Sequence, residues 1–313
     1  MKSINNHFEF VRKNEVLRNS GVKGRKGEYR NVDFLNQKTV SPRFVILGIS
    51  ECIGPFANYG RPGSENAFAA FLSFFLALPN SNQSFDVLGN IAFTGVFPQD
   101  IELAGLMVEE LDTLVEKVLT EFLEPHQIPI VIGGGHNNAL PLLRWASSRR
   151  KVTHNVNLDA HFDCRNPSRR HSGNAFSTAI LEGTLKRYSA LGIDVYAMNE
   201  YIRAFVKDHD VHFVPLTDYL QGKSLKEDFL KLLTSDEPAG LDIDVDCIEN
   251  MPSSAQSPSG FTLNQVREAL LSLNKRPIAY LHLCEGAPTN AQEDRTLGKA
   301  LCFLVMDFIS AME

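Results

Sequence analysis

The chain has 313 residues, 43% of them hydrophobic, enough to bury the core of one large α/β domain or two smaller ones. Its 31 Lys and Arg stand against 37 Asp and Glu, and the net charge of −6 is spread along the sequence, so composition gives no reason to expect nucleic acid or an anionic membrane surface as partner. Residues 1–30 are basic and polar without the apolar segment of a signal peptide, and no apolar run approaches the roughly 18 residues that span a bilayer; a cytoplasmic protein is expected.

Residues 1–40, rich in Lys, Arg, Asn and Gly, predict a partly ordered arm with a helical turn around Phe8 to Leu17, ahead of a single domain over residues 41–313. Phe44 to Gly48 reads as a short buried strand, followed by a loop from Glu51 to Gly63 and a helix capped by Ser64. Leu103, Met107, Leu111, Leu114, Val118 and Phe122 recur at helical spacing and predict a long amphipathic helix from about Gln99 to Leu123. Further strands are expected at Pro129–Ile132, at Val152–Leu158, at Ile193–Ala197, at Val211–Val214, at Gly240–Asp246 and at Ile278–Leu283. Helices are expected from about Asn138 to Ser148, Ala175 to Arg187, Leu225 to Leu233, Thr262 to Asn274 and Thr296 to Ile309. Short apolar strands alternating with helices indicate one parallel sheet covered on both faces. The five cysteines, Cys52, Cys164, Cys247, Cys284 and Cys302, are odd in number and irregularly spaced, which fits neither a disulfide framework nor a zinc pattern; reduced thiols are expected.

Chemistry concentrates where strands end, the place where open parallel sheets build their sites. If the chain stays extended past Leu158, Asp159, His161 and Asp163 fall at alternate positions and project to one side, with Ala160 and Phe162 on the other. Asp242, Asp244 and Asp246 repeat the pattern, interleaved with Leu241, Ile243 and Val245. Gly133-Gly134-Gly135-His136 follows a strand, and Glu285 follows another. Each stretch has a plain reading as a solvated strand end or a structural glycine turn. Together they supply more carboxylates and imidazoles than one ion needs, a donor set suited to a pair of hard-to-borderline divalent ions such as Mn2+.

Gly134-Gly135-His136, Asp159-Ala160-His161-Phe162-Asp163 and Asp244-Val245-Asp246, in this order, resemble the three metal motifs of the ureohydrolase family, which includes arginase, agmatinase and formimidoylglutamase. The resemblance runs from about Phe44 to the C-terminus. It implies a three-layer α/β/α sandwich around a mostly parallel, eight-stranded sheet, assembled as trimers or hexamers. It implies two Mn2+ per subunit, one bound by His136 and Asp163, the other by His161 and Asp246, with Asp159 and Asp244 bridging; Asp242, where the family often has Ser or Thr, receives no ligand role. The implied reaction is hydrolysis of a C–N bond in a small amidine or guanidine. Asp163 would handle the proton and Glu285 would pair with the cationic amidine.

Within the family, Asp159 to Arg165 followed by His171-Ser172-Gly173, the loop Asn58-Tyr59-Gly60-Arg61-Pro62-Gly63 and the stretch Ser254 to Phe261 are similar to the formimidoylglutamase branch, whose substrate is N-formimidoyl-glutamate. Its carboxylates ask for arginines, and Arg61 and Arg165 are the candidates. Ser172-Gly173-Asn174 resembles the arginase substrate loop, which adds Ser172 and Asn174 as substrate contacts and keeps arginase and agmatinase as alternatives. His171 stands one position before the place of the family's proton-shuttle histidine and is the third candidate catalytic residue. A one-zinc deacetylase and a non-catalytic binding member are the readings from other classes.

Overall fold

The computed structural model describes residues 7–37, 41–80, 84–234 and 236–313. In chain order its elements are β1 (Phe8–Arg12), α1 (Lys13–Asn19), α2 (Asn31–Leu35), β2 (Phe44–Ser50), α3 (Ile53–Ala57), α4 (Ala67–Phe75), β3 (Phe85–Phe93) and α5 (Ile101–Phe122). Then come β4 (Ile128–Ile132), α6 (Ala139–Arg150), β5 (His154–Leu158), α7 (Ala175–Leu181), β6 (Arg187–Ile193), α8 (Glu200–Asp208) and β7 (His212–Pro215). The chain finishes with α9 (Leu216–Leu220), α10 (Leu225–Leu232), β8 (Ala239–Asp244), α11 (Leu263–Leu271), β9 (Ile278–Cys284) and α12 (Ala291–Met312).

The strands form one nine-stranded sheet in the order β1-β3-β2-β4-β9-β8-β5-β6-β7. β2 to β9 all pair in parallel, and β1 adds a single antiparallel edge beside β3. The expected eight-stranded parallel sheet is therefore present, and β1 makes the ninth strand. Phe8–Arg12, expected to begin a helical turn, is this strand. Its residues pair with Gly89–Phe93, and Phe8 is buried with its ring 5.4 Å from that of Phe93.

Strand alternation divides the core between the two faces. Phe44 and Ile46 of β2 and Leu281 and Leu283 of β9 pack with Phe68, Phe71, Leu304 and Phe308 of α4 and α12. Leu47 and Ile49 of β2 and Tyr280 of β9 pack on the other face with Leu111, Val115 and Leu143 of α5 and α6. Asp100 caps α5 by accepting from Leu103 N, and Thr262 with Gln265 forms a capping box on α11.

Several expected elements move. Ser64 donates to the Glu51 carbonyl instead of capping α4. The segment expected as a strand at Ile193–Ala197 ends its strand at Ile193; Asp194 accepts from Tyr196 N and turns the chain out of the sheet. α7 stops at Leu181, short of the expected Arg187, and α12 begins at Ala291, before the expected Thr296. α3 forms inside the Glu51–Gly63 segment expected as a loop, and α2, β3, α8 and α9 have no sequence expectation.

Candidate metal centre

β4, β9, β8 and β5 are consecutive in the sheet, so four stretches distant in sequence meet at one edge of it, at the strands' carboxyl ends. The turn after β4 is possible because Gly133 and Gly134 take φ of 92° and 69°. A Cβ on Gly134 would stand 2.9 Å from Glu51 Oε1 and 2.5 Å from Asn138 Nδ2. Glu51, fully buried, accepts from Gly54 N, Gly135 N and Asn138 Nδ2 at 2.8–3.0 Å and so braces this turn; nothing in its sequence context marked it out.

The turn delivers His136 into a fully buried position, where Nδ1 lies 2.9 Å from Asp163 Oδ2, 3.2 Å from Asp159 Oδ2 and 3.4 Å from Asp244 Oδ2. A second grouping adjoins it, with His161 Nδ1 2.9 Å from Asp246 Oδ2 and 3.7 Å from Asp159 Oδ1. Asp159 belongs to both groupings, and Asp244 to the first. The local backbone presets the carboxylates. Asp159 accepts from His161 N and Asn157 Nδ2, and Asp244 accepts from Asp246 N. β5 ends at Leu158, so the expected extended run to Asp163 is cut short. Asp163 reaches the cluster through a left-handed backbone, φ 47°, and not through period-two alternation.

The electrostatics of this cluster call for cations. Burial, then the charges of Asp246 and Asp159, pushes the Asp244 carboxyl well above its ordinary range, and burial with Asp159 also raises Asp163. Asp246 holds the His161 imidazole well above its usual value. Neither buried ring nitrogen of His136 makes a well-formed hydrogen bond among the described residues, although Nδ1 lies within 3.4 Å of three carboxylate oxygens. Unpartnered imidazole nitrogen beside crowded carboxylate oxygens is the donor set of a divalent-ion site, and His136, Asp159, Asp163 and Asp244 on one side with Asp159, His161 and Asp246 on the other fit a pair of such ions.

Above the cluster opens a cleft of about 280 Å³. His161, Asp163, Asp244, Asp246 and Glu285 line its floor, and Asn58, Tyr59, Arg165, Ser172, Asp194 and Ser254 its wall. Glu285, at φ 61°, accepts from His136 N at 2.8 Å and from the Ser254 hydroxyl, and burial raises its carboxyl to about 7. Arg165 extends across Gly173, where a Cβ would meet its Cδ at 2.9 Å.

Three of the expected substrate or catalytic residues lie elsewhere. Arg61 is exposed and donates to the carbonyls of Ser253 and Ser254 in a separate depression. Asn174 is fully buried behind the wall, bonded to Arg170 Nη1, His171 N and the Arg169 carbonyl. The His171 ring accepts from Gly173 N, and burial, followed by Arg169 and Arg170, lowers its pKa to about 3. Asn58, Tyr59 and Asp194 were missed. Asn58 and Tyr59 belong to the same loop as Arg61, and Asp194 falls in the Ile193–Ala197 segment expected as a strand.

A model of the arginase family matches residues 44–309. A formimidoylglutamase of Streptococcus pyogenes serotype M3 is 28% identical over 233 residues, covering 68% of each chain. Among solved structures, formimidoylglutamase from Bacillus subtilis superposes with a TM-score of 0.75 over 93% of this chain and 95% of that one, at 16% identity. Formiminoglutamase of Trypanosoma cruzi, crystallised with Mn2+, gives 0.72 over 90% and 99%, at 21% identity. At these identities the two structures establish the shared fold.

Proposed function

The chain belongs to the arginase family, and from that membership we propose that it is a binuclear manganese hydrolase that cleaves N-formimidoyl-L-glutamate, with water, to glutamate and formamide. The observation that carries the reading is the double grouping of His136, Asp159, Asp163 and Asp244 with His161 and Asp246 at the floor of a cleft whose wall holds Arg165. The similarity to the streptococcal formimidoylglutamase supports the choice of substrate. When bound, the two ions lower the pKa of water and supply a nucleophile at neutral pH.

The residues of the chain do the rest. Arg165 at the rim takes a substrate carboxylate and sets the depth at which the formimidoyl carbon sits. Glu285 faces the cationic amidine from the floor, its position fixed by His136 N and Ser254. Asp163, beside the first ion's ligands and facing the cleft, would accept a proton from the attacking water and return it to the departing glutamate nitrogen. His171, turned into the wall and held neutral, has no part in this scheme. The chain would work as a homo-oligomer in the cytoplasm, a trimer or hexamer.

Asp194 favours a second reading, because a carboxylate on the cleft wall suits a substrate with a free ammonium group, such as arginine or agmatine, with urea as product. One assay separates the two. The Mn2+-loaded protein is offered formimidoyl-glutamate, arginine and agmatine, and formamide and urea are measured. Formamide from formimidoyl-glutamate at the highest kcat/KM is the expected result; faster release of urea from arginine would replace the first reading with the second.

A further inference from the structure

Behind the metal cluster lies a second polar network to which the family resemblance assigns no role. Its centre is Asp242 of β8, fully buried. Oδ2 accepts from Asn155 Nδ2 at 2.5 Å and from the Tyr280 hydroxyl at 3.1 Å, while Oδ1 lies 2.7 Å from His282 Nδ1. These partners come from the flanking strands β5 and β9, whose registers place Asn157 and His282 directly beside Asp242. A carboxylate taken this far from water is costly unless its oxygens are met by donors. Oδ1 still has acceptor capacity to spare, and His136 Nε2 stands 3.7 Å from it, buried and without a hydrogen-bond partner among the described residues.

The two nitrogens of His136 thus look in opposite directions, Nδ1 to Asp159, Asp163 and Asp244, and Nε2 to Asp242. A neutral imidazole that gives one nitrogen to a metal must carry its proton on the other, and the acceptor waiting for that proton fixes both the tautomer and the ring's orientation. The geometry points to Asp242, steadied by His282, Tyr280 and Asn155, as the positioning residue that keeps the proton of His136 on Nε2 and presents Nδ1 to the first ion. The inference rests on the metal reading above.

Its test is a Mn2+ titration of the full chain, with free ion followed by electron paramagnetic resonance so that two binding steps are resolved. Asp242→Asn keeps the volume and removes the charge that Nε2 faces. It should weaken one step by about 10- to 100-fold and leave the other, that of His161 and Asp246, within about 3-fold of wild type. Tyr280→Phe disturbs the other carboxylate oxygen at the same depth and should leave both steps within about 3-fold. Wild-type affinity at both steps in Asp242→Asn overturns the inference. So does an equal weakening of both, or a loss in Tyr280→Phe as large as in Asp242→Asn, since either marks a merely structural network. A wild-type chain that takes up no Mn2+ overturns the metal reading and this inference with it, whereas a wild type with two ions and an unaffected Asp242→Asn overturns the inference alone.

Discussion

The floor of the cleft and its wall are made in different ways. Directly beneath the floor and at its edge, His136, Asp159 and Asp244 sit at or just past the ends of the parallel strands β4, β5 and β8, with side chains no more than 3% exposed. Asn58, Tyr59, Arg165 and Asp194 come from loops, Tyr59 being 80% exposed, and face the open cleft. Strand ends are held by the hydrogen-bonded sheet and by packing on both faces, so floor residues can be crowded against their mutual repulsion. Loop residues meet water and are free to differ with the substrate. The floor is thus suited to hold the ions and the wall to choose what is cut.

Substitutions can break or sharpen this contrast. The largest effect is expected at Asp159, the carboxylate common to both groupings. Asp159→Ala should remove most of both bound ions, read by metal analysis, and reduce hydrolysis to background. Two full equivalents of Mn2+ in that variant would contradict a shared floor.

Next comes the brace behind the wall. Arg170 is buried and binds Asp112 at 2.9 Å and Asn174 at 2.6 Å. Arg170→Ala strands the Asp112 carboxylate and should cost about 3–5 kcal/mol of stability in denaturant unfolding. An unchanged midpoint would show that the wall stands without this pair.

Arg165→Ala should lower kcat/KM for formimidoyl-glutamate by about 10- to 150-fold, the loss of a charge-assisted hydrogen bond worth about 1.5–3 kcal/mol, while both ions stay bound. Arg61→Ala removes bonds to the carbonyls of Ser253 and of Ser254, the latter on the cleft wall, without touching the open cleft, and should change the same kinetics only a few-fold. Equal losses in the two variants would erase the distinction between an arginine that faces substrate and one that supports a loop.

The smallest effect concerns the opposite end of the sheet. His154 opens β5, and burial, then the charge of Arg187, lowers its imidazole to about 4. Its folded-state pKa lies below the unfolded value of about 6.5, so the unfolded chain binds the extra proton as pH falls. Stability should therefore be unaffected by this group above pH 6.5 and should decline as pH drops from there toward 4. His154→Gln should flatten that part of the Tm profile of the chain, and an identical slope in variant and wild type would contradict the depressed value.

Much of the floor was legible in the sequence because it obeys local rules. Apolar stretches such as Phe44–Gly48 and Ile278–Leu283 lie in strands, and the alternation of Asp242 and Asp244 with Leu241 and Ile243 sends carboxylates one way and core residues the other. The triple glycine before His136 marked a turn that only small residues allow. Asp163 departs from that rule, since a positive φ, and not an extended chain, brings it into the cluster.

The order of the strands was decided by tertiary structure alone. No local pattern sets β4 beside β9 and β8 beside β5, yet that adjacency is what gathers His136, Asp159, Asp244 and Glu285 into one place. The wall was likewise hidden. Arg61, Arg165 and Asn174 carry similar polar side chains on loops, and whether each faces the cleft, a neighbouring carbonyl or the interior depends on what packs against the loop. Residue type and strand periodicity determined which chemistry the chain could hold; long-range packing, which no short stretch encodes, decided which side chains share a cavity.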